Sequence, residues 1–267
     1  MNRKIAIIGG GNLGIAITEG LINNQFMPAK DLTVTRRRIH LLDQLKEKGV
    51  NVMQDNQKAV QAADIVVLAI KPYQIKEVLA EILPSLKGGR HILISVVTGY
   101  SINEIKSIVG EEIAVFRAMP NTAVAIGESM TCIATNNGSE GEIKTVINIF
   151  EQVGKAILIN EELMEAATVL GACGIAYSLR FIRAATQGGI EIGFDAKTAE
   201  LIASQTVKGA ASLILQEENH PEQEIDKVTT PQGCTIVGLN EMEHQGFSSS
   251  LIRGILASFN KIANIPH

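Results

Sequence analysis

Glycines at 9, 11 and 14, in Gly9-Gly10-Gly11-Asn12-Leu13-Gly14, directly follow the apolar run Ile5–Ile8 and open a helix-like stretch. Each has a separate task. Gly9 permits a tight strand-to-helix turn, Gly11 lets the backbone approach a pyrophosphate, and Gly14 lets helix and strand pack closely. Asn12 and Leu13 fall in the first helical turn, whose N–H groups have no partners inside the helix and can face phosphate oxygens. In a strand-glycine-helix context this spacing points to a dinucleotide site rather than a plain turn.

The end of the second apolar run separates the two nicotinamide cofactors. A carboxylate there would take a ribose 2′-hydroxyl, whereas Val34-Thr35-Arg36-Arg37 offers a hydroxyl and two guanidiniums. Guanidinium forks match phosphate oxygens, so NADPH is expected over NADH. Two later run ends add Ala69-Ile70-Lys71-Pro72 and Met119-Pro120-Asn121-Thr122. A lysine and an asparagine amide at the carboxyl ends of central strands lie where a nicotinamide would, as cofactor contacts or as groups that position the backbone. The histidines His40, His91, His220, His244 and His267 have no metal-ligand spacing, so no metal is expected.

The elements that must position these groups follow from the alternation of short apolar runs with helix-like stretches. Runs at Ile5–Ile8, Leu32–Thr35, Asn51–Met53, Ile65–Ile70, His91–Val97, Ile113–Met119, Thr131–Ala134 and Ala156–Ile159 read as strands. The stretches Leu13–Ile22, Ile39–Lys48, Ile75–Leu83, Ile102–Val109 and Glu142–Phe150 read as helices covering a parallel sheet. After about residue 160 the strand pattern stops. Helices are expected over Glu161–Thr186, Ala196–Gln216, Thr235–Glu243 and Ser248–Ile262, with Gly188-Gly189 and His220-Pro221 as punctuation. The expected architecture is an α/β Rossmann-type doubly wound sheet over residues 1–160, followed by an all-α oligomerisation domain over 161–267. The first of these helices is apolar around most of its circumference, which predicts a homodimer at least, with a ring of dimers as the larger form.

Composition excludes other classes. Of 267 residues, 46% are hydrophobic and 19% charged, the signature of a globular chain, and the net charge of -4 gives no general basic field for nucleic acid or an anionic membrane. Cys132, Cys173 and Cys234 are odd in number and widely spaced, and the apolar run near the amino terminus is too short for a signal peptide or a membrane span. A cytoplasmic protein acting on a small molecule is expected.

The residues resemble those of the pyrroline-5-carboxylate reductases. The resemblance rests on the glycine motif with Asn12, on Asn56 ahead of the fourth strand, on Lys71-Pro72 and on Met119 to Thr122. In the second half it rests on Gly188-Gly189-Ile190 to Gly193, Gln205-Thr206-Val207 to Gly209-Ala210, His220-Pro221, and Val228 to Thr235 with Gly238-Leu239 and Glu243. It implies NADPH-dependent reduction of 1-pyrroline-5-carboxylate to L-proline, with Thr235 beside the substrate nitrogen as the catalytic residue. It further implies a substrate loop of Thr230, Gly233, Cys234 and Thr235, whose backbone N–H groups can hold a carboxylate. The chain departs from the family at Gly171 to Tyr177, which lacks two usual hydroxyls and a proline, and at Gln232, where the family usually has glycine. It also has Ser248-Ser249-Ser250 after Phe247, where an arginine is common. Because the departures touch the substrate side, two alternatives stay open: an NADPH-dependent imine or keto-acid reductase with an altered substrate loop, and a non-catalytic NADPH-binding paralogue.

Overall fold

The computed structural model describes residues 3–263, so His267 lies outside the described residues. The first half forms one eight-stranded sheet in the order β3-β2-β1-β4-β5-β6-β7-β8. Its strands are β1 (Ile5–Ile8), β2 (Leu32–Thr35), β3 (Asn51–Met53), β4 (Ile65–Leu68), β5 (Ile92–Ser95), β6 (Ala114–Met119), β7 (Ser129–Thr135) and β8 (Gly154–Leu158). Helices α1 (Asn12–Asn23), α2 (Asp43–Glu47), α3 (Asn56–Gln61), α4 (Ile75–Ile82), α5 (Ile102–Val109) and α6 (Glu140–Glu151) connect them.

The alternation of side chains along β1 shows why both faces are covered. Ile5 and Ile7 pack into one cluster with Ile17, Leu21, Leu45, Phe116 and Phe150. Ala6 and Ile8 pack into the other with Val60, Val78, Leu79, Ile105 and Met164. Strands buried on both faces are apolar at nearly every position: β1 and β4 are buried throughout and wholly apolar, and β6, equally buried, has Arg117 as its one polar residue.

One expectation of the sheet fails. β7 runs antiparallel to β6, pairing Met119 with Cys132 and Phe116 with Thr135, and β8 lies parallel to β7. Only residues 120–128 join β6 to β7, with a short 3-10 turn at Thr122–Ile126. A parallel crossover needs about a dozen residues or more, so the chain must turn back.

The helical part begins with Glu161–Leu163 and α7 (Met164–Ala167), then a π-helical segment Thr168–Cys173 and α8 (Gly174–Glu191). Next come α9 (Ala196–Glu217), α10 (Pro221–Val228), α11 (Cys234–His244) and α12 (Phe247–Ala263). The continuous stretch Glu161–Glu191 has 31 residues and would cross a bilayer by length and composition alone. By contacts the chain forms two compact units, one running to Cys173 together with the end of α12 from Phe259, the other Gly174–Ser258. The first unit runs past residue 160 because Met164 and Val169 are fully buried.

Gly188-Gly189 does not punctuate the helices. Both glycines lie inside α8, where a Cβ on Gly189 would stand 3.0 Å from the Ala199 Cβ, so this glycine admits α9 at close range. The break comes at Gly193, with φ +114°, and Asp195, whose carboxylate accepts the Lys197 and Thr198 N–H groups to start α9. His220-Pro221 starts α10 rather than merely separating helices: Pro221 is its first residue, and the His220 N–H donates to Gln223 Oε1.

Candidate active site

The glycine turn fits its expected role. A Cβ on Gly9 would sit 2.4 Å from the Ala69 carbonyl oxygen, and one on Gly14 would sit 2.2 Å from the Gly9 carbonyl oxygen. Neither position admits another residue without moving backbone. At Gly11 nothing lies within 4 Å of the added atom, so glycine there keeps open space above the turn. Gly11 is the N-cap of α1, no side chain caps the helix, and no acid lies in its first turn, where Asn12, Leu13 and Gly14 stand. This is a cradle in which the helix dipole and backbone N–H groups favour an anion.

The neighbouring strand ends are tied to that turn. The carbonyl of Thr35 accepts N–H groups from Gly9 at 3.2 Å and Gly10 at 2.7 Å, and the Thr35 side chain is buried. Arg36 is half-buried and donates from Nη1 to the Gly10 carbonyl at 2.7 Å, which anchors its guanidinium beside the cradle. Arg37 is exposed and stands 3.8 Å from Glu77 on α4, while Gln54 donates to the Arg37 carbonyl. The site therefore carries one anchored and one loose cation next to the turn. Ala69 donates its N–H to the Ile8 carbonyl, which places Ala69-Ile70 alongside the turn, and Lys71 and Pro72 follow as exposed residues.

Asn56 opens α3, with Asp55 as its cap through the Lys58 N–H. Its amide nitrogen donates to Glu81 Oε2 at 3.0 Å, leaving Oδ1 as the side-chain acceptor. Motif reading missed Glu81, because a contact across 25 residues leaves no local pattern. At the end of β6, Met119 and Pro120 are buried, and Asn121 is held on both sides of its amide. Oδ1 accepts from the Ala123 N–H at 3.0 Å, and Nδ2 donates to the Gly171 carbonyl at 3.2 Å, inside the π-helical segment. Asn121 is thus built to position backbone. A side chain bonded into a helix ladder is one origin of such a local widening.

A separate cleft of about 1000 Å³ is lined by Ser101, Asn103, Arg117, Asn136, Glu161 and Glu165, among others. It contains none of the glycine-turn residues. Arg117 is 3% exposed and bonds Glu161 at 3.1 Å and Glu165 at 3.2 Å, while Glu161 also accepts the Ile102 N–H. Sequence reading missed this cluster too. No group of three or more His, Cys, Asp or Glu among the described residues is placed to hold a metal.

The second unit carries the expected substrate loop. Thr230-Pro231-Gln232-Gly233 forms a turn closed by the Gly233 N–H on the Thr230 carbonyl at 2.9 Å, and Gly233 is the N-cap of α11. Cys234 and Thr235 are the first two residues of that helix and are exposed. No side chain caps α11, and no acid lies in its first turn. The Thr229 hydroxyl is already spent on the Ile225 and Asp226 carbonyls.

Comparison with known proteins covers both parts. Residues 4–99 match the family model described as NADP oxidoreductase, coenzyme F420-dependent, and residues 161–265 match the one described as pyrroline-5-carboxylate reductase dimerisation. The chain is 45% identical to pyrroline-5-carboxylate reductase 1 of Dictyostelium discoideum over 98% of its own length, but spans about half of that relative (49%). It is 41% identical to pyrroline-5-carboxylate reductase 2 of the same organism, covering 97% of this chain and 92% of the relative. The solved pyrroline-5-carboxylate reductase of Coxiella burnetii superposes with a TM-score of 0.92 at 32% identity, covering 98% of each chain. That of Plasmodium falciparum, solved with NADP bound, gives 0.88 at 28% identity, covering 98% of this chain and 97% of the other. The dimerisation match takes in the long apolar stretch from Glu161, which accounts for it as an oligomer surface. Fold, glycine cradle and helical half together place this chain in the pyrroline-5-carboxylate reductase family.

Proposed function

We propose that the protein reduces 1-pyrroline-5-carboxylate to L-proline with NADPH. The observation that carries this reading is the likeness over nearly the whole chain, in which the Gly9–Gly14 cradle and the Thr230–Thr235 loop are both present. When bound, NADPH supplies hydride. The C=N carbon of the protonated imine would accept it while the C=N electron pair passes to the ring nitrogen, which then takes a further proton from solvent.

The chain's own residues orient and bind. The first turn of α1 and Arg36, with Arg37 beside it, hold the phosphates, and Asn56 accepts from a ribose hydroxyl. The backbone at Ala69 to Pro72 and at Met119 to Asn121 lines the nicotinamide side. In the second unit the N–H groups at the start of α11 hold the substrate carboxylate, and the Thr235 hydroxyl bonds the ring nitrogen. An iminium is already electrophilic, so orientation supplies most of the catalysis. The same reading divides the chain into a cofactor domain to about residue 160 and a helical domain beyond. It places the protein in the cytoplasm, with dimers assembled further into a ring.

Loss of NADPH absorbance with and without pyrroline-5-carboxylate tests the proposal. Thr235→Ala should lower turnover far more than NADPH affinity, and unchanged turnover refutes its role. A second reading, reduction of a different imine or keto acid, is favoured by the unusual backbone at Gln232. Faster oxidation with such a substrate would establish it, and tight NADPH binding without oxidation by any small imine would mark a non-catalytic protein.

A further inference from the structure

We propose that Gln232 determines substrate specificity, its side-chain amide donating to the carboxylate of the cyclic imine acid. The inference rests on the functional reading above. It starts from a backbone angle: Gln232 has φ +60°, the left-handed region that favours glycine. Pro231 precedes it, and the Gly233 N–H closes the turn on the Thr230 carbonyl, the pattern of a type II turn, whose third position is normally glycine or asparagine. Glutamine stands there against local preference.

Two other described non-glycine residues share a positive φ, Gln25 at +55° and Glu218 at +54°. Glu218 is the C-cap of α9 and Gln25 follows the Asn24 C-cap of α1, positions where a left-handed residue is an ordinary termination. Gln232 terminates nothing. It lies in the turn that leads into α11, three residues before Thr235. Strained backbone that persists in a functional loop is a sign of a side chain kept for its chemistry.

The loop's donor inventory identifies that chemistry. Thr229 to Ile236 contains no Lys, Arg or His, so no cation is present to meet a carboxylate. The Thr229 hydroxyl is bonded to α10 carbonyls. Thr230 is exposed and offers a single hydroxyl, its Oγ1 lying against Gly233, where an added Cβ would stand 2.5 Å away. Thr235 serves the ring nitrogen. The Gln232 amide, exposed and carrying two N–H donors, remains to bond a carboxylate alongside the N–H groups of α11. The same close approach keeps Gly233 a glycine.

The test compares pyrroline-5-carboxylate with 1-pyrroline, the same ring without the carboxylate, in the wild type, Gln232→Gly and Gln232→Glu. Glycine suits the turn, so that variant should fold with an unchanged or raised melting temperature. Its KM for pyrroline-5-carboxylate should rise about tenfold with kcat little altered, and the ratio of the two kcat/KM values should fall by the same factor, as expected for loss of a hydrogen bond to a charged group. Gln232→Glu, of the same shape, should raise that KM further by setting carboxylate against carboxylate. Equal effects on both substrates, or none, overturn the proposal while leaving the functional reading standing. Wild type that oxidises NADPH with neither imine overturns both.

Discussion

Arg36→Ala and Arg37→Ala should weaken NADPH preference unequally, by amounts that follow from their surroundings. Arg36 is half-buried and anchored at 2.7 Å on the Gly10 carbonyl, so its remaining N–H groups are held beside the cradle. A hydrogen bond between charged partners contributes about 1.5–3 kcal/mol, and losing the donor to Gly10 costs about 0.5–1.5 kcal/mol with either cofactor. The Gly10 loss is common to both cofactors and cancels in their ratio. The part felt only by the 2′-phosphate is the charged hydrogen bond, about 1.5–3 kcal/mol, or roughly a 10- to 150-fold fall in the NADPH-to-NADH ratio of kcat/KM. Arg37 is 80% exposed, and its contact with Glu77 at 3.8 Å is an ion pair in water. Its removal should cost about 0–1 kcal/mol, at most about fivefold, and that share should vanish in high salt. Steady-state kinetics with both cofactors at low and high salt decide the matter. A larger loss of selectivity in Arg37→Ala than in Arg36→Ala, or an unchanged ratio in both, refutes the 2′-phosphate assignment.

Two further predictions concern stability. Arg117 is buried, while Glu161 and Glu165 keep side-chain exposures of 24% and 34%, so water can reach the carboxylates but not the guanidinium. Glu161→Gln with Glu165→Gln, which leaves a buried cation without counter-charge, should cost about 3–5 kcal/mol in urea unfolding, and Arg117→Met should cost less; the reverse order would refute the ion-pair account. His91 is 1% exposed, its Nδ1 accepting the Lys87 N–H at 2.8 Å and its Nε2 pairing with the Ala63 carbonyl at 3.1 Å. Burial, helped by the neighbouring Arg90 charge, pushes its pKa below the usual value. Above about pH 6.5 neither state is protonated and the contribution is complete; below it the unfolded chain takes the proton first, and stability falls. At pH 5.5 the loss is at most about 1.4 kcal/mol, and urea unfolding of His91→Gln should lose correspondingly less between pH 7.5 and 5.5.

How far the residues announce the structure depends on how local the governing contact is. The glycine cradle was legible because glycines at 9, 11 and 14 answer backbone demands within one turn of chain, and strands β1, β4, β5 and β6 were legible because burial on both faces makes them almost continuous apolar runs. The reversal at β7 was not, since a strand's direction lies in the length of its connection and not in its own residues. Helix α3, of six residues, is too short to display a period, and its one clear signal is the Asp55 cap. Glu81 behind Asn56, and the Glu161 ion pair of Arg117 in the separate cleft, join residues 25 and 44 apart and leave no pattern. Gln232 stood out in the sequence as a side chain where the family usually has glycine, but its left-handed backbone did not, because glutamine is not a turn residue and only φ reveals that conformation.

The same logic of burial yields a last prediction, about assembly. Of residues 174–258 only Thr186, Ala199 and Ala203 are buried, while Leu179, Ile192, Leu201, Leu215, Val237 and Ile252 are 57% to 78% exposed. Three small buried side chains do not make a core. Helices with this composition hold together by burying their aliphatic faces against another copy, as the dimerisation match over residues 161–265 indicates. Folding and association are then one equilibrium, and the melting temperature depends on protein concentration. Over a hundredfold dilution the mass-action contribution changes by about 2.7 kcal/mol per mole of dimer, which should lower the melting temperature by several degrees. Leu201→Glu, at an exposed face of α9, should yield a monomer whose helical signal melts earlier while the sheet unit persists. A melting temperature independent of concentration, in a species that sediments as a monomer, would show that this helical unit closes its core within one chain, contrary to its pattern of burial.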